Sequence, residues 1–262
     1  LNVESLQSFV DGADVLYHCA GQLTDEATMR AVHIDGTRNL IDVAARCCIG
    51  HWVQLSSVGV YGPVAKGVVT EESPLNPQGE YEVTKAESDR LVLQAAKQGA
   101  FSCSVLRPSN VFGGGMKNQS LFGLIKMIDQ GLFFFIGRPG ASANYIHIDN
   151  VVAGLVQCGT STAAKGKIYN ISDYCTIEAF VRIISDALGR CVPKLRFPEM
   201  PVRWASKVMG LIPRFPLTQS RVDALVNRSI YPIDKIKEEL GYSPVMSMEN
   251  GLKQLVAAYK SK

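Results

Sequence analysis

Short apolar runs alternate along the chain with longer stretches in which apolar residues return every three or four positions. The short runs suit strands buried on both faces and the longer spacing suits amphipathic helices, so the alternation predicts an α/β fold with a parallel sheet covered by helices. Strands are expected at residues 14–20, 52–57 and 102–107, with helices at 26–47 and 81–98 between them. In the first of these helices Val32, Thr37, Leu40, Ile41, Val43 and Ala44 fall on the side expected to be buried. Beyond Gly113 the pattern loosens. It predicts a helix near 120–130, a strand near 144–148, a helix starting at Asp149 or Asn150, and another opened by Thr176 with Glu178 in its first turn. Residues 196–218 combine Pro with aromatics and lack the Gly/Ser bias of a tether, so they read as part of a folded lobe on the substrate side.

A chain of 262 residues that is 47% hydrophobic can bury a sizeable core. Its net charge of +3 comes without a Lys/Arg run, which argues against a nucleic-acid partner and leaves an anionic cofactor compatible. Seven Cys in no zinc-like spacing read as reduced thiols and not as a metal site or disulfide framework, with Cys47 and Cys48 expected to pack inside a helix. No apolar run is long enough for a membrane span and no secretory leader is recognisable, so the expectation is a cytoplasmic protein acting on a small molecule. A homodimer is compatible with that reading.

The chemistry concentrates at Tyr81 and Lys85, which a helix places one turn apart on the same face. Spacing alone proves little in a chain with nine Tyr. Tyr231 and Lys235 repeat it, but Pro232 follows that Tyr and no strand ending in Ser precedes it, so the pair is set aside. Tyr81 differs because the strand before it ends in Ser56 and Ser57, followed by Val60-Tyr61-Gly62. A Ser at the carboxyl end of a parallel strand stands where doubly wound sheets bind ligands, and it can hold a substrate oxygen against the phenol. An unperturbed phenol, with a pKa near ~10, is a reluctant base. An ammonium about 4 Å away at an effective dielectric near 20 contributes roughly 4 kcal/mol, about 3 pKa units, which makes Lys85 the expected source of activation against an opposing desolvation.

These residues resemble the extended short-chain dehydrogenase/reductases of the NAD-dependent epimerase/dehydratase kind. Asp14 through Gly21, Asp35 through Leu40, Ser56 through Gly62, Arg107 through Gly113, Tyr145 through Asn150 and Glu239 through Pro244 follow in the family's order, covering nearly the whole chain. The resemblance implies a Rossmann-like doubly wound sheet and NAD or NADP as cofactor. Residues 1–115 would form a partial cofactor domain and 116–262 mainly a substrate lobe, with 144–170 returning to the sheet. Ser57, Tyr81 and Lys85 would be catalytic. Cys19, Ala20, Gly21, Leu55, Ser56 and Pro108, with Tyr81 and Lys85, would line the cofactor, while Ser57, Val58 and Asn110 would meet the substrate.

The same comparison exposes departures. The family's Gly-rich turn after its first strand has no counterpart, since Gly113-Gly114-Gly115 comes too late in the order and reads as a substrate-side loop. The resemblance therefore implies a nucleotide-binding segment before Leu1. His33 stands where the family commonly has Asn, either as a neutral exchange or as an altered proton relay. His147, between two Ile, reads as a core residue, and no His/Cys/Asp spacing supports a metal. A nucleotide sugar is the first expected substrate, although Ala143 stands about where several such epimerases carry an Arg for the diphosphate. The second is a hydroxysteroid or dihydroflavonol, for which Trp204, Met209, Leu211 and Phe215 would form an apolar pocket. A non-catalytic scaffold is the alternative of another class.

Overall fold

The computed structural model describes residues 3–116, 120–209 and 218–261. Four strands, β1 (Val15–His18), β2 (His51–Leu55), β3 (Ser102–Pro108) and β4 (Lys167–Ile171), pair in that order and all run parallel. Strand alternation divides their side chains between two cores. Leu16, Trp52 and Cys103 stand side by side in register and face helices α1 (Gly36–Arg46) and α2 (Glu80–Lys97). Val53 and Leu106 point the other way, towards α3 (Ile148–Thr160) and the helix Asp234–Leu240. Burial on both faces explains the nearly unbroken apolar runs of the sequence.

The helix expected over residues 26–47 is interrupted. Glu26–Arg30 leads into a π turn at Ala31–Asp35, and α1 follows. The π turn rotates the buried face, so Met29, His33, Ile34 and Thr37 are buried while Val32 is only half-buried. Cys47 ends α1, and Cys48 is exposed in the left-handed region at φ 56°, so this pair terminates the helix instead of packing within it. All seven Cys are free thiols.

After Pro108 the third strand leaves the main sheet and resumes as Asn110–Phe112 in a second one. There it pairs parallel with Ser142–His147, which pairs antiparallel with Asp173–Thr176. Helices Ser120–Asp129, Ile177–Leu188 and Met248–Lys260 cover this sheet around Ile125, Phe180, Ile184 and Leu252. Thr176 caps the second of them by accepting from Ala179 N at 3.2 Å, with Glu178 in the first turn. Two short parallel pairs, Lys66–Val68 with Arg228–Ile230 and Phe135–Ile136 with Arg196–Phe197, extend the lobe. The crossing from one sheet to the other leaves a crevice at the carboxyl ends of β1, β2 and β3, the usual ligand position in such sheets. Among the described residues, no helix is long and apolar enough to cross a membrane.

Candidate active site

Each strand of the crevice delivers its next residues to one cleft of about 560 Å³. β1 brings Cys19, Ala20 and Gly21, β2 ends at Leu55 followed by Ser56 and Ser57, and β3 leads through Pro108 to Asn110. Tyr81 and Lys85 enter from the first turns of α2. That helix starts where it does because Glu82 reaches back to accept from Gln78 N and Gly79 N, at 3.0 and 3.1 Å, occupying amides at its amino end. Val58 lies in an adjoining polar cavity of about 360 Å³ that shares Ser57, Tyr81 and Asn110 with the cleft and adds Asn144, Asn227 and Tyr231. The residues selected from the sequence thus converge, with Tyr81 between the two spaces.

Ser57 is half-buried and accepts from Gly59 N at 3.0 Å, which fixes it at the head of a 3-10 turn. Gly62 closes that turn at φ 76°, where a side chain would collide with the Asn76 carbonyl. The Ser56 hydroxyl instead donates to Asp89 Oδ2 at 2.6 Å, so its hydrogen-bonding capacity is directed into the protein. Asp89 also receives Arg107 Nη2 at 3.2 Å, and both side chains are buried. Burial pushes the Asp89 carboxyl up, with Arg107 and Ser56 pulling it back. Arg107 continues to Tyr61 Oη at 3.0 Å, which donates to Asn170 Oδ1 at 2.9 Å.

Lys85 is 4% exposed and donates from Nζ to Leu55 O at 2.6 Å. Burial lowers its pKa, while the nearby Asp89 and Cys19 oppose the shift. The Tyr81 phenol is pushed up by burial; its hydrogen bond with Ser57 counteracts part of this, and Asp89 raises it further. Burial, and not the expected lowering by Lys85, is therefore the governing effect on the phenol, and desolvation acts on both groups. Sequence reasoning missed Asp89, although Tyr81, Lys85 and Asp89 follow one another at successive turns on one face.

His33 is buried and donates or accepts at both ring nitrogens, facing Gln22 N at 2.8 Å and Thr84 Oγ1 at 2.7 Å. His147 is buried too; its Nδ1 accepts from Asp149 N at 3.3 Å and caps α3. Among the described residues, no group of three or more His, Cys, Asp or Glu could hold a metal. Of the residues expected to form an apolar pocket, Trp204 is 71% exposed, and Leu211 and Phe215 lie outside the described residues. Met209 ends a described helix, but its side chain is outside the description. Among the described residues, the apolar lining of the cleft includes Phe112, Met116, Leu121, Phe122 and Leu255.

A sequence model of the NAD dependent epimerase/dehydratase family matches residues 1–172. The chain belongs to this family. It is 27% identical, over 95% of its length, to "3beta-hydroxysteroid-dehydrogenase/decarboxylase isoform 2" of Arabidopsis thaliana, and spans 49% of that protein. It is 26% identical to a dTDP-glucose 4,6-dehydratase of Streptomyces griseus, covering 95% of this chain and 72% of the relative. The structure of a UDP-glucuronic acid 4-epimerase from Bacillus cereus in complex with NAD superposes with a TM-score of 0.76 at 19% identity, over 100% of this chain and 79% of that one. That likeness bears on the fold, which it shows to be Rossmann-like. Membership in an NAD-dependent family makes a nicotinamide dinucleotide the implied cofactor, and the cleft can be tested against it. Lys85 lines the cleft and supplies an ammonium with two further N–H groups beyond the Leu55 bond. This donor set fits a ribose diol beside a nicotinamide.

Proposed function

We propose that this member of the NAD dependent epimerase/dehydratase family interconverts a secondary alcohol and a ketone on a largely apolar substrate of the hydroxysteroid kind, using NAD or NADP. The observation that carries the reading is the apolar lining that shares the cleft with Tyr81: Phe112, Met116, Leu121, Phe122 and Leu255 line it, and Ala143, buried in its strand, offers no cation for a diphosphate. Apolar walls with a few convergent polar groups suit a hydrophobic ring system whose one oxygen is gripped at Ser57 and Tyr81. A nicotinamide held in the cleft would supply the acceptor or donor of the hydride. Ser57 hydrogen-bonds the substrate oxygen and positions it against the phenol. Tyr81 takes the hydroxyl proton during oxidation and returns one to the carbonyl oxygen during reduction. Lys85, fixed by Leu55 O, would hold the ribose hydroxyls.

A nucleotide sugar is the second reading, and one feature favours it. Arg138, Arg196 and Arg228 line a further cleft of about 560 Å³, and Arg228 directly follows Asn227, which lines the polar cavity. Two of the three guanidiniums are already engaged, Arg196 with Glu178 at 2.7 Å and Arg228 with the carbonyls of Arg138, Pro139 and Gly140, which leaves them less free for a diphosphate. Formation of reduced nicotinamide from a 3β-hydroxysteroid, set beside epimerisation or dehydration of UDP- and dTDP-glucose, separates the two. Turnover of the steroid with no change in the sugar nucleotides is expected; turnover confined to a sugar nucleotide would overturn the first reading.

A further inference from the structure

The β1-to-helix loop carries Cys19, Ala20, Gly21 and Leu23 on the wall of the cofactor cleft, while Tyr81 comes from a different element. One imidazole links them. The π turn at Ala31–Asp35 sets His33 beneath both, 1% exposed, with its ring edge-on to Tyr81 at 5.6 Å between centroids. The backbone N–H of Gln22 can only donate, so His33 Nε2 accepts that bond and the ring proton resides on Nδ1, which donates to Thr84 Oγ1. The Thr84 hydroxyl in turn donates a hydrogen bond to the carbonyls of Glu80 or Tyr81, at 2.7 and 3.1 Å. Burial and the Lys85 charge hold the His33 pKa down at about 4, so the ring stays neutral. Every polar atom of this ring is occupied, and none is left to receive a proton from the reaction. Gln22 organises its loop in turn: its Oε1 accepts from Leu23 N at 2.9 Å and Thr24 N at 3.1 Å.

We propose that His33 is a positioning residue, a neutral clamp that ties the 19–24 loop through Gln22 N–H, and the first turn of α2 through Thr84 Oγ1, into one frame for the cofactor cleft and Tyr81. The consequence for catalysis rests on the function proposed above, whereas the clamp itself is a property of the fold. It differs from a proton relay, in which the ring would change charge during turnover.

Hydrogen exchange at the Gln22 amide, NADH titration and pH-rate profiles on His33→Leu, His33→Gln and Thr84→Val test it. In His33→Leu the Gln22 amide loses its buried acceptor, and exchange is expected to accelerate by about 10-fold or more, with NADH affinity weakened about 10-fold. Thr84→Val, which cuts the other half of the clamp, shifts both in the same direction. His33→Gln, whose amide offers an acceptor and a donor, returns both to within about 3-fold of the parent. The limbs of the pH profile stay in place throughout. Parent-like exchange at Gln22 in His33→Leu overturns the clamp, and a displaced limb in that variant overturns it in favour of a relay. If the parent itself fails to bind NADH, the function reading falls, while the exchange at Gln22 still decides the clamp.

Discussion

Asp89 and Arg107 set a buried charge pair directly beneath the candidate catalytic residues, and each depends on the other to remain buried. Removing one partner leaves an uncompensated charge, so Asp89→Asn is expected to lower stability by about 3–5 kcal/mol in urea denaturation, while Asp89→Leu combined with Arg107→Met recovers a large part of the loss. Equal losses in the single and double variants would show that the pair contributes through packing and not charge. The raised Tyr81 phenol has its own signature. Alcohol oxidation needs the deprotonated form and ketone reduction the protonated one, so kcat/KM should rise with pH for oxidation and fall for reduction, with the crossover on the alkaline side. Parallel profiles in both directions would remove Tyr81 from the proton transfer. At this scale Ser57, Tyr81 and Lys85 are readable in the sequence because a strand end and one helical turn bring them together locally. Arg107 is 18 residues from Asp89 on another element, and no local spacing rule joins them.

Between elements, the polar layer that binds β1 and β2 to α1 and α2 is the feature the hydrophobic pattern could not reveal. Gln54, with no exposure in the middle of β2, accepts from Trp52 Nε1 at 3.0 Å and contacts His18 Nδ1 at the same distance, while its amide donates to Ser88 on α2. Ser88 meets Thr37, which donates back to His33 O. Periodicity identified a helix over 26–47 but assumed a uniform 3.6-residue turn, and the π turn moved His33 into the layer and left Val32 half-buried. Burial lowers both His18 and His33 to about 4. Each therefore binds a proton in the unfolded chain from about pH 6.5 downwards and in the folded one only near pH 4, so stability is present in full above 6.5 and is lost as pH falls between those values. The expected loss is on the order of 2 kcal/mol per His, read as a falling urea midpoint from pH 7.5 to pH 5. A midpoint that holds or rises across that interval, or a slope unchanged in His18→Gln/His33→Gln, would contradict it.

For the molecule as a whole, the alternation of short apolar runs and helical stripes carries the parallel sheet, because strands buried on both faces leave a continuous signal. The second sheet was less legible. Residues 107–113 read as one segment, yet Ser109 divides them between two sheets, and the antiparallel addition of Asp173–Thr176 beside Ser142–His147 depends on pairing across about 30 residues. The cleft exists because of that division, which brings Pro108 and Asn110 against the ends of β1 and β2 and leaves Tyr81 between an apolar wall and a polar cavity. The account therefore centres on one hydroxyl. Turnover of a 3β-hydroxysteroid by the purified protein, compared with Tyr81→Phe, is the most direct test: a loss of about 10² to 10⁴-fold in kcat/KM, with NADH affinity and urea midpoint unchanged, is predicted for a positioned acid and base. Activity within a few-fold of the parent would contradict the account.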